Sequence, residues 1–82
     1  MFSDREKEII RAIGKKSMTI ENITNLVFEG VRDVPFDKHI TISNSITRII
    51  GKCAHHSHHW TLVKERTNGK MYIRKVSLVN EV

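Results

Sequence analysis

An α+β fold, with three helices followed by a closing β-hairpin, is what the sequence predicts, and three observations predict it. Apolar residues recur at helical spacing in three segments up to Cys53, each with its own start signal. From Trp60 the chain turns to β-formers, interrupted by Asn68-Gly69, the pair that a two-residue hairpin turn favours. The length, 82 residues, suits one small domain spanning 1–82 and is short for two.

Ser3-Asp4-Arg5-Glu6 is a capping-box pattern, in which the serine hydroxyl accepts from the Glu6 N–H and the Glu6 carboxylate accepts from the Ser3 N–H. It predicts a first helix over 4–13. Ile9, Ile10 and Ile13 share one stripe, and Gly14 followed by Lys15-Lys16 offers a left-handed stop with cations at the negative end of the dipole. Thr19 is the expected cap of a second helix over 20–29, with Met18 and Ile23 placed as a hydrophobic staple and Ile20, Ile23, Leu26 and Val27 on its apolar face. Pro35 pushes Val34 out of the helical region, and Asp33 and Asp37 favour turns. Residues 30–41 are therefore expected as a connection, with Val34 and Phe36 tucked into the core.

The third helix, over 42–54 with Thr41 as cap, is the most regular. Ile42, Ile46, Ile49, Ile50 and Cys53 form a buried stripe, and Cys53 reads as a small core residue. The opposite face carries Asn44, Thr47, Arg48, Gly51 and His55, flanked by Ser43, Ser45 and Lys52, with no carboxylate. Gly51 has two readings: a place where a backbone approaches the helix, or a residue that merely weakens the helix or ends it early.

The hairpin is expected over 60–76 in one of two registers. A two-residue turn sets Thr67 opposite Lys70 and puts Trp60, Leu62, Met71 and Ile73 on one face with Lys64, Arg66 and Lys75. A three-residue loop turns Val63, Met71 and Ile73 inward instead. In both, Lys64, Arg66, Lys70 and Arg74 surround the tip, and Trp60 reads as an anchor beneath the hairpin.

The formal charge is +5 and is unevenly distributed. Residues 1–41 hold seven Lys/Arg and seven Asp/Glu; residues 42–82 hold seven Lys/Arg and two acids, Glu65 and Glu81. A basic second half points to a polyanion. The longest apolar run, Leu26-Val27-Phe28, is far short of the ~20 residues a bilayer span needs. No membrane association is expected. The charged start MFSDREKEII lacks the apolar stretch of a signal peptide, and a single cysteine suits a reducing compartment. The expected location is cytoplasmic, as a nucleoid-associated protein or a viral protein in the host cytoplasm.

Helix, helix, amphipathic helix with a polar carboxylate-free face, then a basic hairpin: in this order the elements resemble the winged-helix variant of the helix-turn-helix over roughly residues 3–76. The resemblance implies a DNA-binding domain whose third helix, around TISNSITRIIGKC, enters the major groove, while a wing around KERTNGKMYIR contacts the backbone or minor groove. The connection from Gly30 to Thr41, about a dozen residues, is longer than helix–helix links usually are.

The residue types suit that role independently. Arg48 can pair bidentately with guanine, Asn44 with adenine, and Thr47 can meet thymine or phosphate. Ser43, Lys52, Lys64, Arg66, Asn68, Lys70 and Arg74 are the expected backbone contacts, which supply salt-dependent affinity without sequence information. The expected partner is double-stranded DNA and the expected role transcriptional regulation; a homodimer is the further assembly considered. The alternative is a winged-helix protein-interaction module that uses residues 31–40 and the wing edge to bind a host or polymerase subunit. RNA binding ranks third, since Tyr72 and Trp60 offer few stacking rings.

The run Cys53-Ala54-His55-His56-Ser57-His58-His59 contains zinc-ligand types, but not at zinc-finger spacing, and ranks as a pH-sensitive polar turn ahead of a metal site. No metal or cofactor is expected. Nor is an enzyme: Cys53 and Ser57 lack an acidic partner nearby, and there is no phosphate-binding glycine loop or paired carboxylates.

Overall fold

A computed structural model describes residues 1–31, 33–56 and 59–78. It has three helices and a three-stranded antiparallel sheet in the order α1 (Asp4–Ile13), β1 (Met18–Thr19), α2 (Ile20–Val27), α3 (Phe36–His55), β2 (Trp60–Thr67) and β3 (Lys70–Ser77). The fold class is thus α+β, with sheet order β1-β3-β2.

The capping box of α1 forms as written. Ser3 N donates to Glu6 Oε1 at 2.7 Å, and Glu6 N donates to Ser3 Oγ at 3.2 Å. Gly14 ends the helix with its N–H on the Ile10 carbonyl and φ +54°, ψ −121°. That positive φ favours glycine, but the ψ lies outside the expected left-handed helical cap. β1, too short to carry a local signal of its own, follows directly and pairs Met18 with Ile73 and Thr19 with Tyr72. Thr19 closes β1 and caps α2, its Oγ1 accepting from Asn22 N at 3.1 Å.

α2 ends at Val27 rather than 29, because Phe28 leaves the helical region (ψ +38°) while its N–H still reaches the Thr24 carbonyl. The larger correction concerns α3. It starts at Phe36, six residues before the expected position, with Pro35 as N-cap and no side-chain cap bond. Proline restricts the residue before it, not the one after it, and its own fixed φ suits the entry to a helix. Thr41 is therefore no cap; its Oγ1 donates to the Asp37 carbonyl one turn back at 3.0 Å. The connection shortens to residues 28–35. Phe36 is 77% exposed and outside the core, contrary to expectation, while Val34 is half-buried.

The hairpin takes the two-residue register, with Thr67 opposite Lys70 and Arg66 opposite Met71. Asn68 and Gly69 have φ +51° and +78°, the positive pair that a type I′ turn requires. This register buries Leu62 and Ile73, with Trp60 and Met71 partly buried against the same core. The core comprises Ile9, Ile13, Ile23, Ile42, Ile46, Ile49, Cys53, Leu62 and Ile73, so α1, α2, α3 and the hairpin all contribute to one cluster.

Candidate nucleic-acid interface

Along α3 an exposed stripe runs through Asp37, Ile40, Thr41, Asn44, Thr47, Arg48, Gly51 and His55, the 3–4-residue spacing of one helical face. Asn44, Thr47 and Arg48 lie together at its middle. Arg48 Nη2 donates to Ser45 Oγ at 3.3 Å, which anchors one edge of an exposed guanidinium. Ser45 was expected to flank this face but is buried, 2% exposed. The early start of α3 also places Asp37 on the stripe two turns before Asn44, so the face is carboxylate-free only from Ile40 onward. The sequence carried a signal for Asp37 and Ile40, seven and four residues before Asn44, but it required starting the helix after Pro35.

β2 runs beside this stripe. Lys64 Nζ donates to Thr47 Oγ1 at 3.0 Å, and the same hydroxyl donates to the Ser43 carbonyl at 3.2 Å. The Thr47 hydroxyl is thereby used within the protein, and the methyl is what the side chain has left to offer a base. The register places Lys64 and Arg66 on the sheet face shared with Leu62 and Ile73, and Lys70 and Arg74 on the other. Asn68 sits at the turn between them. The basic residues of the hairpin thus present two faces joined at its tip.

Besides Lys64, two of the expected backbone contacts are engaged within the protein, both by carboxylates. Arg74 donates from Nε and Nη2 to Glu65 Oε1 at 2.9 and 2.6 Å; this bonding holds the Glu65 carboxyl below its usual value and raises the guanidinium. Lys52 Nζ donates to Glu6 Oε1 at 2.6 Å and to the Met1 carbonyl at 3.0 Å. Ser43 is half-buried, while Lys64, Arg66, Asn68 and Lys70 are exposed.

α3 continues through Gly51 to His55, so the glycine does not end the helix early, and the readings as a weak point and as a place of close approach both stand. A Cβ at Gly51 would meet nothing within 4 Å, so no packing inside the protein calls for glycine there. Cys53 is 1% exposed in the core, and burial pushes its thiol up despite a hydrogen bond with Thr61 and the nearby Lys75. His55 and His56 meet edge to face at 4.9 Å. Among the described residues no group of three or more His, Cys, Asp or Glu is arranged to hold a metal; Ser57 and His58 lie outside them. Trp60 packs against Phe2 at 5.8 Å between centroids. Among the described residues no helix is long and apolar enough to cross a membrane. Comparison of the chain with protein-family models, with curated proteins and with solved structures returns no match.

Proposed function

We propose that the protein is a winged-helix domain that binds double-stranded DNA and regulates transcription, with α3 in the major groove and the β2–β3 hairpin as a wing on the adjoining backbone. The observation that carries this reading is the Lys64–Thr47 hydrogen bond. It sets a cationic strand directly beside an exposed polar helix face, so that one surface offers both base-reading and phosphate-contacting groups. A helix of this kind fits a major groove about 12 Å wide. Asn44 and Arg48 read base edges, the Thr47 methyl meets a thymine, and Lys64, Arg66, Asn68 and Lys70 hold the phosphates. Lys52, Arg74 and Ser43 contribute less to that surface, because Glu6, Glu65 and partial burial respectively engage them.

Fluorescence anisotropy of a labelled random-sequence duplex, repeated at several salt concentrations and with the matching single strand, tests the proposal. Duplex affinity that falls linearly in log salt, with several counterions released, is the expected result. Absence of binding at low salt, or a preference for the single strand, would overturn it.

A second reading, a protein-interaction module, is favoured by a different observation. Val31, Phe36 and Ile40 are 53%, 77% and 48% exposed, and Phe36 and Ile40 are neighbours one turn apart on α3. Exposed apolar side chains mark contact surfaces when they form a patch. Failure of the duplex titration would leave residues 31–40 as the functional surface.

A further inference from the structure

The exposed stripe of α3 extends past Asn44 towards the helix N-terminus. Ile40 lies one turn earlier and is 48% exposed, whereas the residues that fix this helix in the core, Ile42, Ile46, Ile49 and Cys53, are buried on its other face. At ~100° per residue, Ile40 falls within about 20° of both Thr47 and Gly51 around the helix axis and about 40° from Asn44. It therefore stands in the middle of the stripe, not at its margin. Lys64 of β2 reaches α3 at Thr47, two turns further on, and leaves Ile40 exposed.

A single exposed isoleucine needs no explanation; one that shares a narrow sector of the helix with the groups proposed to read bases has a chemical counterpart. The apolar group that base edges offer in the major groove is the thymine 5-methyl. Branching at Cβ leaves a helical isoleucine one strongly preferred χ1 rotamer, so little side-chain freedom is lost when a base covers it. With the helix axis along the groove, a rise of ~1.5 Å per residue puts Ile40 about 6 Å before Asn44 and about 10 Å before Thr47, or about two and three base pairs of ~3.4 Å. The Thr47 hydroxyl is taken up by Lys64 and the Ser43 carbonyl, so its methyl is the group left to face a base. One sector thus carries two apolar groups about three base pairs apart, with the Asn44 amide between them. Asp37, exposed three residues before Ile40, bears a carboxylate that phosphates repel, which makes Ile40 the last side chain in that direction suited to the groove.

We infer that Ile40 is a further specificity-determining residue, which packs on a thymine methyl about two base pairs from the adenine that Asn44 reads. The target is then a site with thymines, on either strand, at two positions about three base pairs apart, one under Ile40 and one under Thr47. The inference rests on the duplex reading proposed above and narrows its target.

A duplex selected by the protein from a random library is the probe, with each thymine of the selected site replaced in turn by uracil. Uracil keeps the hydrogen-bonding groups of thymine and lacks only the methyl. Wild-type protein should lose about fourfold in affinity at each of two uracil positions, the worth of one buried methyl group. Ile40→Ala should bind the thymine duplex at least about fourfold more weakly, become indifferent to uracil at one of the two positions and keep its sensitivity at the other. Thr47→Ser, which keeps the hydroxyl bonded to Lys64 and removes the methyl, should show the reverse pattern. Ile40 is exposed and alanine favours a helix, so the fold should survive the substitution, as circular dichroism of the variant would verify. Sequence-selective binding in which Ile40→Ala keeps the wild-type response to uracil at both positions, or loses affinity equally for thymine and uracil duplexes, would overturn the inference and leave the proposed function standing; Ile40 would then return to the protein-contact surface of residues 31–40. Failure to select any duplex would overturn both.

Discussion

Glu6 is a buried carboxylate, 3% exposed, that closes the cap of α1 and ties α1 to α3 through Lys52. Burial pushes its carboxyl up, but the hydrogen bonds from Lys52 and Ser3 outweigh this and leave it below the usual carboxylate value. A folded-state value below the unfolded one means that Glu6 stabilises the fold fully above its unfolded pKa of ~4.3, and that this contribution disappears as pH falls through the folded value. Urea midpoints should therefore drop on acidification below about pH 4, with a shallower drop in Glu6→Gln; equal slopes would show that the pair does not govern the acid limb. At Arg48 the expected effect concerns binding. Arg48→Ala should cost about 1–3 kcal/mol of discrimination at one base pair, measured by competition between selected and random duplexes, and an equal loss on both would remove its base-reading role.

Gly51 lies inside α3, with open space where a Cβ would stand, so Gly51→Ala should stabilise the helix by up to about 1 kcal/mol. If a nucleic-acid backbone approaches there, the same variant should bind duplex more weakly although it melts higher. Thermal melts and anisotropy on one preparation check both, and unchanged binding would make Gly51 a mere weak point of the helix. In the hairpin, Lys70 forms no ion pair among the described residues, and Arg74 is held by Glu65. Lys70→Ala should lower the salt slope by about one and weaken all duplexes alike. Glu65→Gln should release Arg74 and raise the slope towards one more, with little change in stability because solvent screens an exposed ion pair. An unaltered slope in Glu65→Gln would remove Arg74 from the interface.

At the scale of the whole molecule, one cluster takes side chains from all three helices and both long strands. Unfolding should be a single transition in which helical circular dichroism, dominated by α1–α3, coincides with the emission of Trp60 in β2. Separated midpoints would show that the hairpin opens independently of the helices. The proposed duplex surface depends on this unit, because it needs β2 packed beside α3.

Local signals were sufficient where the determining chemistry lies within a few residues. The capping box at Ser3–Glu6, the Thr19 cap, the isoleucine stripe of α3 and the Asn68-Gly69 turn are all short-range patterns, and each is present in the structure. So was the middle of the candidate interface, because Asn44, Thr47 and Arg48 lie opposite the apolar stripe. The start of α3 was obscured because Pro35 and Asp37 serve equally well as turn residues and as the entry to a helix. Other features depend on partners distant in the chain. β1 is two residues long and exists by pairing with β3; the hairpin register was settled by burying Leu62 and Ile73 against the helices; Lys64 meets Thr47, and Lys52 meets Glu6, across 17 and 46 residues. By itself the sequence determined the class of fold, the helical faces and the basic second half, since periodicity and charge are properties of the chain. Only the tertiary structure decided which of those charges face outward beside α3 and which are held by Glu6 and Glu65, because ion pairing depends on distances that folding alone sets.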